Sequence, residues 1–202
     1  MKNKIKFLAI LGALTIFLSF SLRPSIEKRI IVIDAGHGGK DSGANIDGQL
    51  ESKIVETISK KISLLNNENE VEIVLLRDND RFIELRERVE RINKINPSLL
   101  ISLHVSASKN VNENGVFAYV SNKNEYYIKS LENAKGLVDK ISGDKLSKGE
   151  VKDASFYVIS KSKCPAFLLE VGYLSNEKDK NYITSEIGQN EIANKIFEFI
   201  KK

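Results

Sequence analysis

Residues 30–44 read Ile-Ile-Val-Ile-Asp-Ala-Gly-His-Gly-Gly-Lys-Asp-Ser-Gly-Ala. An apolar run that stops in a glycine cluster reads as a buried strand ending abruptly in a loop. Glycine accepts positive φ and close approach of neighbouring groups, so the loop can present one side chain with little bulk around it. That side chain is His37, one of two histidines in 202 residues. The other, His104, follows a second apolar run, Leu99 to Leu103. Two scarce histidines at two strand ends raise a metal site as the first functional hypothesis, because imidazole is a common zinc ligand.

The rest of the chain tells which fold would bring those ends together. The first strand spans Arg29 to Asp34, and Asp47-Gly48 signals a turn. A helix follows from Leu50 to Leu65, with Ile54, Val55, Ile58, Ile62 and Leu65 on one face. Val71 to Leu76 reads as a second strand. Asp78, Asn79 and Asp80 are placed to cap a second helix whose apolar face is Phe82, Leu85, Val89, Ile92 and Ile95. Pro97 ends it, and Leu99 to Leu103 forms the third strand. Gly115 to Val120 continues the pattern as a strand, Tyr126 to Ile141 as a helix, and Gly143 to Asp153 as a surface loop. Ser155 to Ile159 reads as a strand, and so does Ala166 to Val171. Glu186 to Ile200 closes the chain as an amphipathic helix.

Strands alternating with helices predict one α/β domain, a mixed and mostly parallel sheet of about six strands with helices on both faces. No internal repeat is visible. Such sheets gather their sites at the carboxyl ends of the strands, where both histidines stand.

A catalytic zinc site commonly uses two histidines and a glutamate and leaves a position open for water. Glu51, at the start of the first helix, is the candidate carboxylate, although an acid there also simply stabilises a helix N-terminus. Glu56, further along that helix, is the weaker candidate. Glu170 ends the apolar run Ala166 to Leu169, where an acid is costly to bury without a partner. It is either a salt-bridged strand end or a general base that takes a proton from the attacking water and returns it to the leaving amine. Cys164 is the single cysteine, so no intrachain disulfide forms; beside Pro165 it reads as a small buried hydrophobe.

The N-terminus carries Lys2, Lys4 and Lys6, then 16 uncharged residues from Phe7 to Leu22. That is a signal-peptide core or a short membrane anchor, with residues 7–22 as the tether if it is retained. In both readings the lysines stay cytoplasmic and the domain is exported, to the periplasm or the cell-wall side. The expected organisation is therefore a leader or anchor at 1–22, a linker at 23–28 and a catalytic domain at 29–202. The formal charge is +4, but setting aside the three leader lysines leaves 28 cations against 27 acids. A nearly neutral domain gives no argument for nucleic-acid binding.

Several segments together resemble the zinc-dependent N-acetylmuramoyl-L-alanine amidases of bacterial cell walls. Val32 to Ala44 is similar to that family's opening motif, and Gly48-Gln49-Leu50-Glu51 to its glutamate-ligand segment. Leu76 to Phe82 with Leu85 to Val89, Ile101 to His104, and Leu169 to Asn176 resemble the next three, in order. The resemblance covers Ile30 to Ile200. It implies His37, Glu51 and His104 as zinc ligands and Glu170 as the catalytic glutamate. It also implies hydrolysis of the amide between N-acetylmuramic acid and the L-alanine of the stem peptide, with peptidoglycan as the partner; the chain is expected to act as a monomer.

Two departures touch that site. His104-Val105-Ser106-Ala107 stands where relatives often have His-Ala-Asn-Ala, and Ser160 where many carry arginine. Only 65 residues separate His104 from Glu170, too few for the family's long regulatory insertion; no activator is identifiable. The competing functions are a zinc peptidase acting on another bond of cell-wall peptides, and a non-catalytic wall-binding module. All four site residues are present, which disfavours the module.

Overall fold

The structure is a computed structural model, and it describes residues 28–66 and 71–202. The leader expected at 1–22 and most of the linker expected at 23–28 lie outside the described residues. Among those described, no helix is long and apolar enough to cross a membrane.

The first run is β1, Ile30–Ala35. After the glycine loop comes a two-residue hairpin, β2 (Asn45–Ile46) and β3 (Gln49–Leu50). Its turn, Asp47-Gly48, has φ of 52° and 77°, the left-handed pair that matches the right-handed twist of flanking strands. The hairpin delivers the chain into α1, Glu51–Leu64. No side chain caps α1. Instead, the amides of Glu51 and Ser52 donate to the carbonyls of Ala44 and Ser42, so the helix start is seated on the loop that follows β1.

β4 (Glu72–Leu75) is followed by α2 (Leu85–Ile95), then β5 (Leu99–Ser106), β6 (Val116–Val120), α3 (Tyr127–Ile141) and β7 (Lys148–Asp153). The chain ends with α4 (Tyr157–Lys161), β8 (Ala166–Tyr173), α5 (Glu177–Ile183) and α6 (Glu186–Ile200). Six strands form one sheet in the order β4-β1-β5-β8-β6-β7. Every neighbouring pair is parallel except β8 with β6. The expected six-stranded, mostly parallel sheet is what forms.

Strand residues alternate between two apolar layers. Ile31, Ile33, Ile101 and Leu103 pack with α1, α3 and α6, while Val32, Leu100 and Leu168 pack with Val89 and Ile92 of α2 and Val158 and Ile159 of α4. Helices therefore cover both faces. Asp34, Ser102, His104 and Glu170 share the α2–α4 face by the same period-two alternation.

Three expectations fail. Asp78, Asn79 and Asp80 do not cap α2, which starts at Leu85 with no side-chain cap. Asp80 instead accepts the Gly39 amide (2.9 Å) and pairs with Lys53 (2.7 Å), latching this segment onto the His37 loop. The surface loop expected over Gly143 to Asp153 contains β7, an edge strand whose Lys, Glu and Asp side chains hid it from a hydrophobicity reading. The strand expected at Ser155 to Ile159 is the five-residue α4, too short to show a helical period. The short α5, capped by Asn176 on the Asp179 amide, had no apolar signature either.

Candidate metal centre and active site

His37 leaves β1 in the left-handed region, with φ of 58°. That conformation is uncommon for a residue with a side chain and persists only where surroundings impose it. It turns the ring back over the sheet edge toward His104. Their centroids lie 5.1 Å apart, edge to face.

Glu51 stands between them. Its Oε1 is 3.1 Å from His37 Nε2 and 2.8 Å from His104 Nδ1. It also accepts the Val105 amide at 3.1 Å, and Oε2 accepts the Ala44 amide at 2.9 Å. Donor atoms of the three residues all lie within 4.8 Å of one another. Two imidazole nitrogens and a carboxylate oxygen converging on one point form a donor set suited to a transition-metal dication. On the far side of the His37 ring, Nδ1 donates to Asp41 Oδ2 at 2.9 Å. A carboxylate on the distal nitrogen fixes the tautomer and ring orientation of a metal-binding histidine. Asp41 is itself held by the Gly43 amide.

The loop glycines are needed for space. A Cβ on Gly36 would stand 2.3 Å from His104 Cε1. One on Gly43 would stand 2.4 Å from Glu51 Oε2, and Gly43 also has a φ of 63°.

Burial alone would disfavour the charged form of His37, but Glu51 and Asp41 on its two nitrogens outweigh that and raise it to about 9. Burial pushes Glu51 up, yet the two histidines hold its carboxyl far below the usual carboxylate range. Glu51 therefore stands as an anion between the two rings, the form in which a carboxylate binds a metal ion.

Glu170 lies beside this cluster on β8. It is in register with His104 across β5–β8 and with Phe117 of β6 on its other side. Phe117 stacks on Tyr173 at 5.2 Å and meets Tyr119 edge-on at 5.6 Å, giving Glu170 an aromatic, water-poor flank. Its Oε2 is buried without a hydrogen-bond partner. Burial pushes its carboxyl up to about 7, opposed by His104 and His37 and assisted by Glu51. A half-buried carboxyl with one buried, unpartnered oxygen beside a metal-type cluster fits a group that handles protons near neutral pH.

A cleft of about 420 Å³ opens at His37 and His104 and runs between α2 and α4 over Asp34, Ser102 and Leu168. Its apolar walls include Ile83, Val158 and Ile159.

The structure thus places His37, Glu51, His104 and Glu170 together. Glu56, the weaker metal candidate, is not part of the cluster. It points away, accepting from Arg77 at 3.2 Å and Lys60 at 2.7 Å. Ser160 hydrogen-bonds Ser121 at 2.9 Å, and Ser106 sits one pleat past His104 in register with Tyr173. Reasoning from sequence missed the roles of Asp41 and of two buried arginines, Arg77 and Arg88. Asp34, buried next to the last residue of β1, was the signal: a buried acid demands a cation.

Residues 31–202 match the profile of a family described as N-acetylmuramoyl-L-alanine amidase. An uncharacterized protein, YqiI of Bacillus subtilis, is 32% identical, with 94% of this chain and 92% of that protein covered. The N-acetylmuramoyl-L-alanine amidase LytC of Bacillus subtilis is 31% identical over 87% of this chain, which spans 35% of LytC. Among solved structures, the N-acetylmuramoyl-L-alanine amidase AmiC2 of Nostoc punctiforme superposes with a TM-score of 0.79 at 32% identity. That match covers 86% of this chain and 96% of that one.

Proposed function

The chain belongs to the N-acetylmuramoyl-L-alanine amidase family, hydrolases that cleave the peptidoglycan amide joining N-acetylmuramic acid to L-alanine, and from that premise we propose a zinc-dependent mechanism with His37, Glu51 and His104 as ligands and Glu170 as the proton-transfer group. The observation that carries this assignment is the convergence of one carboxylate oxygen of Glu51 on nitrogens of both histidines, 3.1 and 2.8 Å away. Two nitrogens and one oxygen are a common catalytic zinc set.

When bound there, the dication supplies Lewis-acid polarisation of the lactyl carbonyl and makes water acidic enough, with a pKa of ~7, to attack at neutral pH. The residues do the rest. Glu51 and the two rings would hold the ion, and Asp41 keeps the His37 ring oriented with its Nδ1–H toward the carboxylate. Glu170 takes a proton from the attacking water. The water oxygen bonds to the carbonyl carbon, the C–N bond breaks, and Glu170 returns the proton to the departing nitrogen. The products are a muramic acid lactyl carboxylate and a stem peptide with a free L-alanine amino terminus. A carboxyl raised to about 7 serves both halves of that exchange.

Cell-wall substrate requires action outside the cytoplasm, which the leader-like residues 1–22 support. The division into that segment, a linker at 23–28 and a catalytic domain at 29–202 is part of the same reading. Metal analysis of the purified protein tests the ligand assignment. One zinc per chain is expected, and His104→Ala should lose it; full zinc content in that variant would refute the site.

A further inference from the structure

Between them, two buried arginines bind the carbonyls of Ala35, Gly36 and His37, three consecutive residues. Arg77 is 1% exposed and Arg88 3%. Charges at that depth are retained only where their donors are fully used.

Arg77 spans two elements. Its Nη2 donates to the Gly36 carbonyl and to the Ser52 carbonyl, each at 2.8 Å. Gly36 precedes His37, and Ser52 follows Glu51. Its Nε donates to Ala35 at 2.9 Å, and Nη1 to Asn79 and Glu56, each at 3.2 Å. One planar guanidinium therefore sets the separation between the first histidine and the glutamate.

Arg88 spans the other pair. Its Nη2 donates to the His37 carbonyl at 2.6 Å, Nη1 to Ala35 at 2.9 Å and to Asp34 Oδ1, and Nε to Ile83 at 3.0 Å. Asp34 Oδ2 accepts from the Ser102 hydroxyl at 3.2 Å. Ser102 lies on β5 two residues before His104, on the same face. The relay Arg88–Asp34–Ser102 thereby ties the His37 loop to the strand bearing the second histidine.

We propose that Arg77 and the Arg88–Asp34–Ser102 relay are positioning residues of the metal centre, fixing the mutual placement of His37, Glu51 and His104 before an ion arrives. The inference rests on the metal reading above and goes beyond it by assigning metal affinity to groups outside the set of ligand residues. Geometry favours arginine for this task, since its rigid fork reaches several carbonyls at once and a lysine ammonium cannot. The arrangement also imposes the left-handed His37 backbone, because the loop carbonyls point at fixed donors.

The test uses the full-length protein. Zinc affinity is measured by chelator competition for wild type, Arg77→Lys, Arg88→Lys and a control, Leu137→Ala, whose core site packs with α6 on the opposite sheet face. The expected result is a loss of roughly 10–100-fold in affinity for both arginine variants, the size seen when groups supporting metal ligands are removed. The visible absorption bands of the cobalt-loaded protein should shift as well. The Leu137→Ala protein, less stable, should keep wild-type affinity and spectrum. Folded arginine variants with wild-type affinity and an unshifted cobalt spectrum would overturn the proposal. Should the lysine variants fail to fold, Ser102→Ala decides. A severalfold weaker affinity supports the relay, and an unchanged one overturns it. Failure of the wild-type protein to bind any zinc would instead refute the metal reading itself.

Discussion

His104 and Glu170 are direct neighbours across β5 and β8, paired in register on one face of the sheet. In the proposed site His104, from β5, is a ligand and Glu170, from β8, is the base, so the parallel pairing of these two strands would set the distance between them. The rest of the site is attached to that pair: α1 brings Glu51, and the loop after β1 brings His37.

Replacing Glu170 by glutamine removes the basic oxygen while keeping the volume. Zinc stoichiometry should stay at the wild-type value while turnover falls by ~10²–10⁴-fold, the usual worth of a positioned acid–base group. Metal analysis and a dye-release assay on labelled peptidoglycan would measure both. Undiminished turnover would remove Glu170 from its role.

The same residue carries a stability signature. Burial raises its carboxyl to about 7, above the ordinary 4.5. A raised carboxyl contributes stability that is complete below the unfolded value and is lost as pH rises through the folded one. In metal-free protein the Glu170→Gln variant should therefore gain melting temperature relative to wild type at pH 8, and gain less at pH 5. Thermal melts at the two pH values in chelator test this; an equal difference at both would contradict it.

Gly36 has an ordinary backbone, so alanine there fails for steric reasons alone. Its Cβ would stand 2.3 Å from the His104 ring. Gly36→Ala should cost about 1–3 kcal/mol of stability by overpacking and weaken zinc binding at least ~10-fold by displacing that ring. Wild-type affinity in this variant would show that the ring has room to move.

Cys164 is 2% exposed among apolar neighbours of the α2–α4 layer, and burial pushes its thiol up to about 12. Because the thiolate is the reactive form, iodoacetamide at pH 8 should leave the native protein unmodified and label it fully in denaturant. Mass spectrometry before and after unfolding reads the difference. Rapid labelling of the folded protein would place the thiol elsewhere.

The parallel sheet, and the four candidate residues that it brings together, were legible because each leaves a one-dimensional mark. Buried parallel strands are continuous apolar runs, and their ends are marked by rare residues such as His37, His104 and Glu170. The structure that supports the site leaves a weaker mark. Asp80 had the composition of a helix cap but serves a tertiary contact with Gly39, 41 residues away. Arg77 and Arg88 stand in a stretch that also holds Arg81, Arg86 and Arg91, and nothing in the sequence sets the two apart. Only the folded chain shows that they are buried, with partners more than 40 residues distant at Gly36 and His37. β7 escaped because an edge strand exposed to water carries the charges of a loop.

The central claim is that this fold cleaves the muramyl–L-alanine amide through a metal held by His37, Glu51 and His104. Digestion of purified peptidoglycan with and without a zinc chelator, followed by identification of the new ends, tests it most directly. The account predicts free lactyl carboxylates on the glycan and free L-alanine amino termini on the peptides, both abolished by chelator and restored by zinc. A new amino terminus inside the stem peptide, or cleavage that persists after the metal is removed, would contradict it.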